Sequence, residues 1–398
     1  RIGSVVSSPD GKSVVYTLTK YDIKENKGHT SIYIKDTKTG NEKNLTTRKD
    51  SESEPAFIES GKKIAYLAAS NGVNQLWTMN LDGSDKQCIS NEKEDIEGFL
   101  FSPDCKHVII IHQVPTETSI AKNDEDLPKA SGMLINDLMY KHWDSYVRSI
   151  PHPFLAEYSN GKVANAKDIL EGQPFECPMM PFGGIEEFAW SPDSKKLAYV
   201  LRQKKGRDYA VSTDSDIFLY DINDGSSLNL CKPITRDIKQ PIKIDYTRSL
   251  KDQRIYEGED CNLGYDDNPK FSPDGKYIAW TSMKHDGYES DRTRLCVYEF
   301  STRNKTYVTE SFDSGVDNFF WKENSKELLF AGVWHGRTNI YATNLKGKVR
   351  QLTDDVCDYS LAGYIASNGN ILVKRHSLSE ADDIYFVNTK SGKTERVT

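Results

Sequence analysis

The chain has 398 residues, with 52 Lys and Arg against 59 Asp and Glu, so a formal net charge of -7 gives no basic field to attract a phosphate backbone and nucleic acid is not an expected partner. Hydrophobic residues make up 37% but fall in short runs; none approaches the roughly 20 apolar residues of a membrane helix, so no membrane span is expected. The seven cysteines contain no C-x-x-C pair, which speaks against structural zinc, and no metal or cofactor is expected.

In chain order, a five-residue turn motif recurs. Ser8-Pro9-Asp10-Gly11-Lys12 is followed by Ile58-Glu59-Ser60-Gly61-Lys62, Ser102-Pro103-Asp104-Cys105-Lys106 and Ser191-Pro192-Asp193-Ser194-Lys195. Then come Ser272-Pro273-Asp274-Gly275-Lys276, Lys322-Glu323-Asn324-Ser325-Lys326 and Ala366-Ser367-Asn368-Gly369-Asn370. The fourth positions of the motif, 11, 61, 105, 194, 275, 325 and 369, are spaced by 50, 44, 89, 81, 50 and 44 residues. Each turn leads into a β-rich run such as Ser13 to Leu18 or Tyr277 to Ser282, as a strand leaving a tight Pro-Asp-Gly turn should. A second alternating run follows, for example Ser31 to Asp36, and then a short fourth one such as Glu42 to Thr46.

Seven repeats of four antiparallel strands predict an all-β fold, a seven-bladed β-propeller filling residues 1–398 as one domain. The two long spacings predict insertions after the third and fourth Ser-Pro-Asp repeats, at residues 113–185 and 231–262, with one helix around Gly132 to Lys141. Cys231 and Cys261 flank the second insertion and could staple it, although buried thiols are the plainer reading. Because the repeats run in whole blades, the first and seventh are expected to meet without a shared strand. The start at Arg1, without Met or an apolar leader, reads as a processed or excised piece.

No G-x-S-x-G elbow, phosphate-binding glycine loop, H-E-x-x-H pair or EF-hand spacing occurs, so the chain by itself reads as non-catalytic. The Ser-Pro-Asp-Gly-Lys repeats resemble TolB-like propellers. Asn268 to Trp280, running into Ser282 to Arg292, together with Tyr140 to Tyr146, resembles the propeller of the prolyl oligopeptidase family, in its dipeptidyl peptidase 5 and acylaminoacyl-peptidase branch. The resemblance spans essentially the whole chain. It implies a serine exopeptidase whose propeller gates access for short peptides, a C-terminal α/β-hydrolase domain that is not in this sequence, and a periplasmic or secreted setting. The partners so implied are short peptides, that hydrolase domain and, as a homodimer, a second copy of the chain. A stand-alone TolB-like module that binds another protein is the alternative; a reading frame continuing about 250 residues with a G-x-S-x-G elbow would exclude it.

Within the two longer motifs, His142, Trp143 and Asp144 either tie the first insertion to the propeller or face a substrate cavity; Tyr288, Glu289 and Asp291 either order a hairpin loop or do the same. Register exposes a further set. Eight residues before each fourth turn position stand Glu97, Glu186, Asp267 and Asp317, with Gly3, Ser53 and Leu361 in the other blades. Equivalent positions lie on a ring, and Glu52, Glu54, Asp95, Glu187, Asp266 and Asp313 stand beside it. One channel mouth should therefore be acidic and suit a peptide's free ammonium group, unless these acids are only solvated turns. Of the neighbours Glu186 and Glu187, a strand would point only one at the channel.

Overall fold

The computed structural model describes residues 1–47, 51–116, 118–135, 137–143, 145–231 and 262–398. Seven four-stranded antiparallel sheets form in sequence order, a seven-bladed propeller. Blade 1 runs through Ile2–Ser7, Ser13–Asp22, Lys27–Asp36 and Glu42–Asn44. The first strands of the other blades are Glu52–Ile58, Gly98–Phe101, Phe188–Trp190, Asp266–Phe271, Val316–Trp321 and Asp358–Ile365. First strands of neighbouring blades touch from blade 4 through blade 7 and on through blades 1 and 2, including the first and the seventh, so these strands are innermost. The first and seventh blades each keep their own four strands, and their seam is closed by packing and by a hydrogen bond that Ser367 Oγ donates to Asp10 O at 3.0 Å.

The turn motif owes its recurrence to a local hydrogen-bond set. In Ser8 to Lys12 the Ser8 hydroxyl donates to Asp10 Oδ1 at 2.7 Å and accepts from Ser13 N at 3.0 Å, while Lys12 N donates to the same Oδ1 at 3.1 Å. The Ser102, Ser191 and Ser272 turns repeat it. All seven fourth positions have φ between 54° and 85°, which is why four of them are glycine. Where a side chain stands there it serves the ring: Ser194 Oγ accepts from Asp104 N and Ser325 Oγ from Asp274 N, each at 3.1 Å and each from the preceding blade.

The core is seven clusters, one per blade interface. Val14 packs toward blade 7 and Val15 toward blade 2, so a blade strand is apolar on both faces and reads as a continuous run, as in Val108 to Ile111. Hydroxyls seal the outer edges. Thr46, Ser90, Thr309, Thr353 and Thr398 each accept from a third-strand N–H at 2.8 to 3.0 Å, and Cys231 Sγ takes that place in blade 4, 3.3 Å from Ile217 N.

The insertions need correction in extent. Ser149–Ser159, paired with His107–Pro115, and Lys162–Asp168, paired in turn with Ser149–Ser159, are the third and fourth strands of blade 3, so only 116–148 is inserted within that blade and 169–185 links it to the next. No helix forms over Gly132 to Lys141 in its described residues. Met133–Leu134 pairs as a short strand with Thr118–Ser119, and Asp137 Oδ1 accepts from Leu138 N and Gly206 N, a local alternative to helical bonding. A six-residue helix, Gly206–Val211, forms in blade 4 instead. Residues 232–261 of the second insertion, and with them Cys261, lie outside the described residues; Cys231 is a buried free thiol.

Candidate functional site

One face of the propeller carries a cavity of about 430 Å³ where the segment ahead of blade 4 folds over the inner strands of blades 4, 5 and 6. That segment, Met179 to Gly184, is apolar and bounded by Pro and Gly. It leads into a single 3-10 turn, Ile185–Glu187. The turn replaces the strand assumed for Glu186 and Glu187, so strand alternation does not apply. Glu187 is buried, accepts from Met179 N at 2.7 Å and lines the cavity, whereas Glu186 is exposed.

Asp267, Asp317 and Glu289 line the same cavity, and Arg202 is the single cationic side chain among the described residues that do. Burial drives the Glu187 carboxyl well above the usual range, with the Asp267 charge adding to it. Asp267 is pushed up to about 6, first by desolvation and then by Glu186, against the opposing pull of Asn268 N and Lys270. Lys270 is brought down to about 7 by burial. Its Nζ donates to Asn318 Oδ1 and Phe319 O, both at 2.7 Å, and stands 4.2 Å over the Phe320 ring. The Glu186 charge also reaches across to Glu54, which burial and that charge raise. Glu54, with φ 51°, and Asn268, with φ 59°, sit at matching irregularities of their inner strands, one residue beyond the aligned position.

The other expected residues separate. Glu97 is exposed and accepts from Gln113 of its own blade at 2.8 Å. Asp291 orders its loop, accepting from Lys284 N, His285 N and Arg292 N; burial raises its carboxyl, but these bonds hold it low overall. Tyr288 is exposed. His142 Nε2 lies 2.7 Å from Glu176 Oε1, Lys141 Nζ pairs with that oxygen at 2.9 Å, and the Tyr209 hydroxyl donates to Oε2. This buried hub ties the first insertion to blade 4. Trp143 is 71% exposed and meets Phe182, at the cavity edge, with ring centroids 5.0 Å apart. Asp144 lies outside the described residues.

Sequence reasoning missed Arg202, Tyr265 and the Met179 to Phe182 lining; the available signal was an apolar run without alternation, bracketed by Pro and Gly, just before an inner strand. One further group has ligand-type atoms: Asp216, Cys231 and Asp266, within 4.8 Å of one another and buried. Cys231 stands in blade 4 where Thr353 and Thr398 stand in blades 6 and 7, and Asp216 where Asn339 and Asp383 accept from those threonines; Asp216 itself accepts from Asn229 Nδ2 at 2.8 Å. Asp266 joins from blade 5, fixed by Asn262 Nδ2 at 2.9 Å and Trp280 Nε1 at 2.8 Å.

A TolB β-propeller domain model matches residues 3–136. Over its whole length the chain is 40% identical to dipeptidyl-peptidase 5 of Porphyromonas gingivalis, spanning 54% of that protein, and 34% identical to dipeptidyl-peptidase 5 of Porphyromonas endodontalis, spanning 53%. The chain thus spans about half the length of these relatives. Among solved structures, an acylaminoacyl peptidase in complex with Z-Gly-Gly-Phe-chloromethyl ketone superposes with TM-score 0.67 at 15% identity, over all of this chain and 52% of that one. The β-propeller domain of the trilobed protease from Pyrococcus furiosus, which has an open velcro topology, gives 0.59 at 13% identity, over all of this chain and 97% of that one. These two likenesses are of fold, and the unshared seam between blades 1 and 7 agrees with the second.

Proposed function

Since this chain is a TolB-type propeller of the prolyl oligopeptidase family, in its dipeptidyl-peptidase 5 branch, we propose that it is the substrate-selecting half of a periplasmic or secreted serine exopeptidase, and that its cavity holds the free amino terminus of a short peptide. A hydrolase domain of the same polypeptide supplies the nucleophile in this reading. The observation that carries it is the convergence of Glu187, Asp267, Asp317 and Glu289 on one cavity with a single Arg against them. Asp267, at about 6, is ionised at neutral pH, and the water-poor wall strengthens its pull on an ammonium group, while the buried Glu187 shapes the wall. Asp317 is exposed and Glu289 stands on the loop that Asp291 orders, so both can reach a ligand without giving up a structural bond. Arg202 is held by the carbonyls of Tyr209 and Ser212 and keeps the acid cluster from repelling the peptide's first carbonyl.

The test is kcat/KM of the full-length enzyme on matched peptides with free and acetylated amino termini. Asp317→Asn with Glu289→Gln is expected to cost about 10- to 100-fold on the free-amine peptide, the range of one charge-assisted hydrogen bond, and little on the acetylated one. Equal losses on both would overturn the reading.

A further inference from the structure

Beside the acidic wall the cavity has a second wall of different chemistry. Met179, Met180, Pro181 and Phe182 close it from the linker side, and Trp143 stands against Phe182 in an edge-to-face contact at 66°. Both aromatic rings are left largely in water, at 71% and 77%. Burying them against each other or the blade would be the cheaper arrangement, and an exposed apolar patch rimmed by polar groups marks an interaction site. The backbone argues the same way. Trp143 has φ 57°, a left-handed conformation that a bulky residue adopts only when its surroundings impose it. They do so here: the preceding Lys141 and His142 are both clamped to Glu176, itself bonded to Tyr209. The chain thus presents an indole outward, at a conformational cost, next to the one cavity edge that Phe182 forms.

We infer that Trp143 and Phe182 form an apolar shelf that reads the first side chain of a bound peptide, so that the propeller selects peptides beginning with a large apolar residue. The inference rests on the amino-terminus reading above. A residue whose ammonium group lies among Asp267, Asp317 and Glu289 carries its side chain one bond away, and of the two walls the linker side is the one without charge. Met179 and Met180 can reshape around branched or aromatic groups, which makes the shelf selective for size and polarity more than for shape.

The experiment compares the full-length enzyme with Trp143→Ala and Phe182→Ala on a series X-Ala joined to a fluorogenic amine, with X as Gly, Leu, Phe or Lys. Each variant is expected to lower kcat/KM for Leu and Phe by about tenfold, the worth of partly burying an apolar side chain on an aromatic face, and to leave Gly within about twofold. Trp143→Phe should restore most of the discrimination. A loss equal for all four residues would make the shelf merely a surface covered by the rest of the enzyme and would overturn the inference. So would a wild-type preference for Lys, which would assign the first side chain to the acids. Failure of the ammonium reading is separate, because it appears as loss of discrimination between free and acetylated termini at constant X.

Discussion

Asp10 and Asp267 are the same residue at the two ends of inner-strand geometry, and the protein moves them in opposite directions. Asp10, in the turn after an inner strand, is held down to about 2 by the Ser8 hydroxyl and the Lys12 N–H. Asp267, where an inner strand enters, is pushed up to about 6 by desolvation, and the Glu186 charge adds to it. The turn ends of the blades are locally satisfied: each carboxylate finds its donors within five residues, and the same set recurs blade after blade. The entry ends gather like charges and a buried cation pushed down to about 7. A fold that optimises one end of each strand and strains the other has put its stability and its chemistry on opposite faces.

The hub that holds the first insertion gives the largest way to break this contrast. Glu176→Ala leaves Lys141 and His142 buried without their carboxylate, and removing one partner of such a group costs about 3 to 5 kcal/mol. The expected outcome in urea is a lower midpoint together with early protease cleavage between residues 116 and 148, while the blades stay protected. A shift below about 1 kcal/mol with no new cleavage would show that the insertion is held elsewhere.

The pH dependence of Asp267 comes next. Its folded value is raised, so its favourable contribution is complete below the unfolded value near 3.8 and is lost as pH climbs to about 6. Lys270, lowered from 10.5 to about 7, acts in the other direction: stability is regained as pH rises from about 7 toward 10.5. Asp267→Asn should remove the falling limb between pH 4 and 6 and make the protein more stable than wild type at pH 7, by denaturant titration across that range. An unchanged slope would mean that Asp267 is solvated and ordinary.

Seven blades were legible because the turn chemistry is contained in five residues, and the left-handed fourth position is filled by Gly in four turns and by the small side chains of Ser or Cys in the other three. The extent of the first insertion was not. Ser149–Ser159 reads Ser-Ile-Pro-His-Pro, and two prolines argue against a strand inside a sheet, yet Pro151 and Pro153 sit opposite Gln113 and Ile111 in the middle of blade 3. The helix expected over Gly132 to Lys141 failed because the apolar residues there meet no partner face: Met133, Leu134, Ile135, Leu138 and Met139 are all exposed. Of the site, the aligned acids found Asp267 and Asp317, since register is a property of the repeat. The Met179 to Phe182 wall comes from the linker between blades 3 and 4, and Arg202 from the long loop between the second and third strands of blade 4, neither of which has a copy of matching length in the other repeats to compare.

The smallest effect is expected at the satisfied end. Asp10→Ala removes the acceptor used by Ser8 Oγ and Lys12 N, but the side chain is about half exposed, at 55%, so solvent competes for both donors. A cost of about 0.5 to 1 kcal/mol at pH 7 follows, after screening is allowed for, and the salt bridge to Lys12 adds little. Its sign with pH is opposite to that of Asp267. The folded value is depressed, so the stabilisation is present above the unfolded value near 3.8 and disappears as pH falls through about 2. Wild type and variant should therefore differ at pH 7 and converge near pH 2, whereas the Asp267→Asn difference should grow between pH 4 and 6. If the two variants showed the same pH trend, the contrast between turn and entry carboxylates would be wrong, because burial and local donors cannot move a carboxyl in one direction and produce one slope.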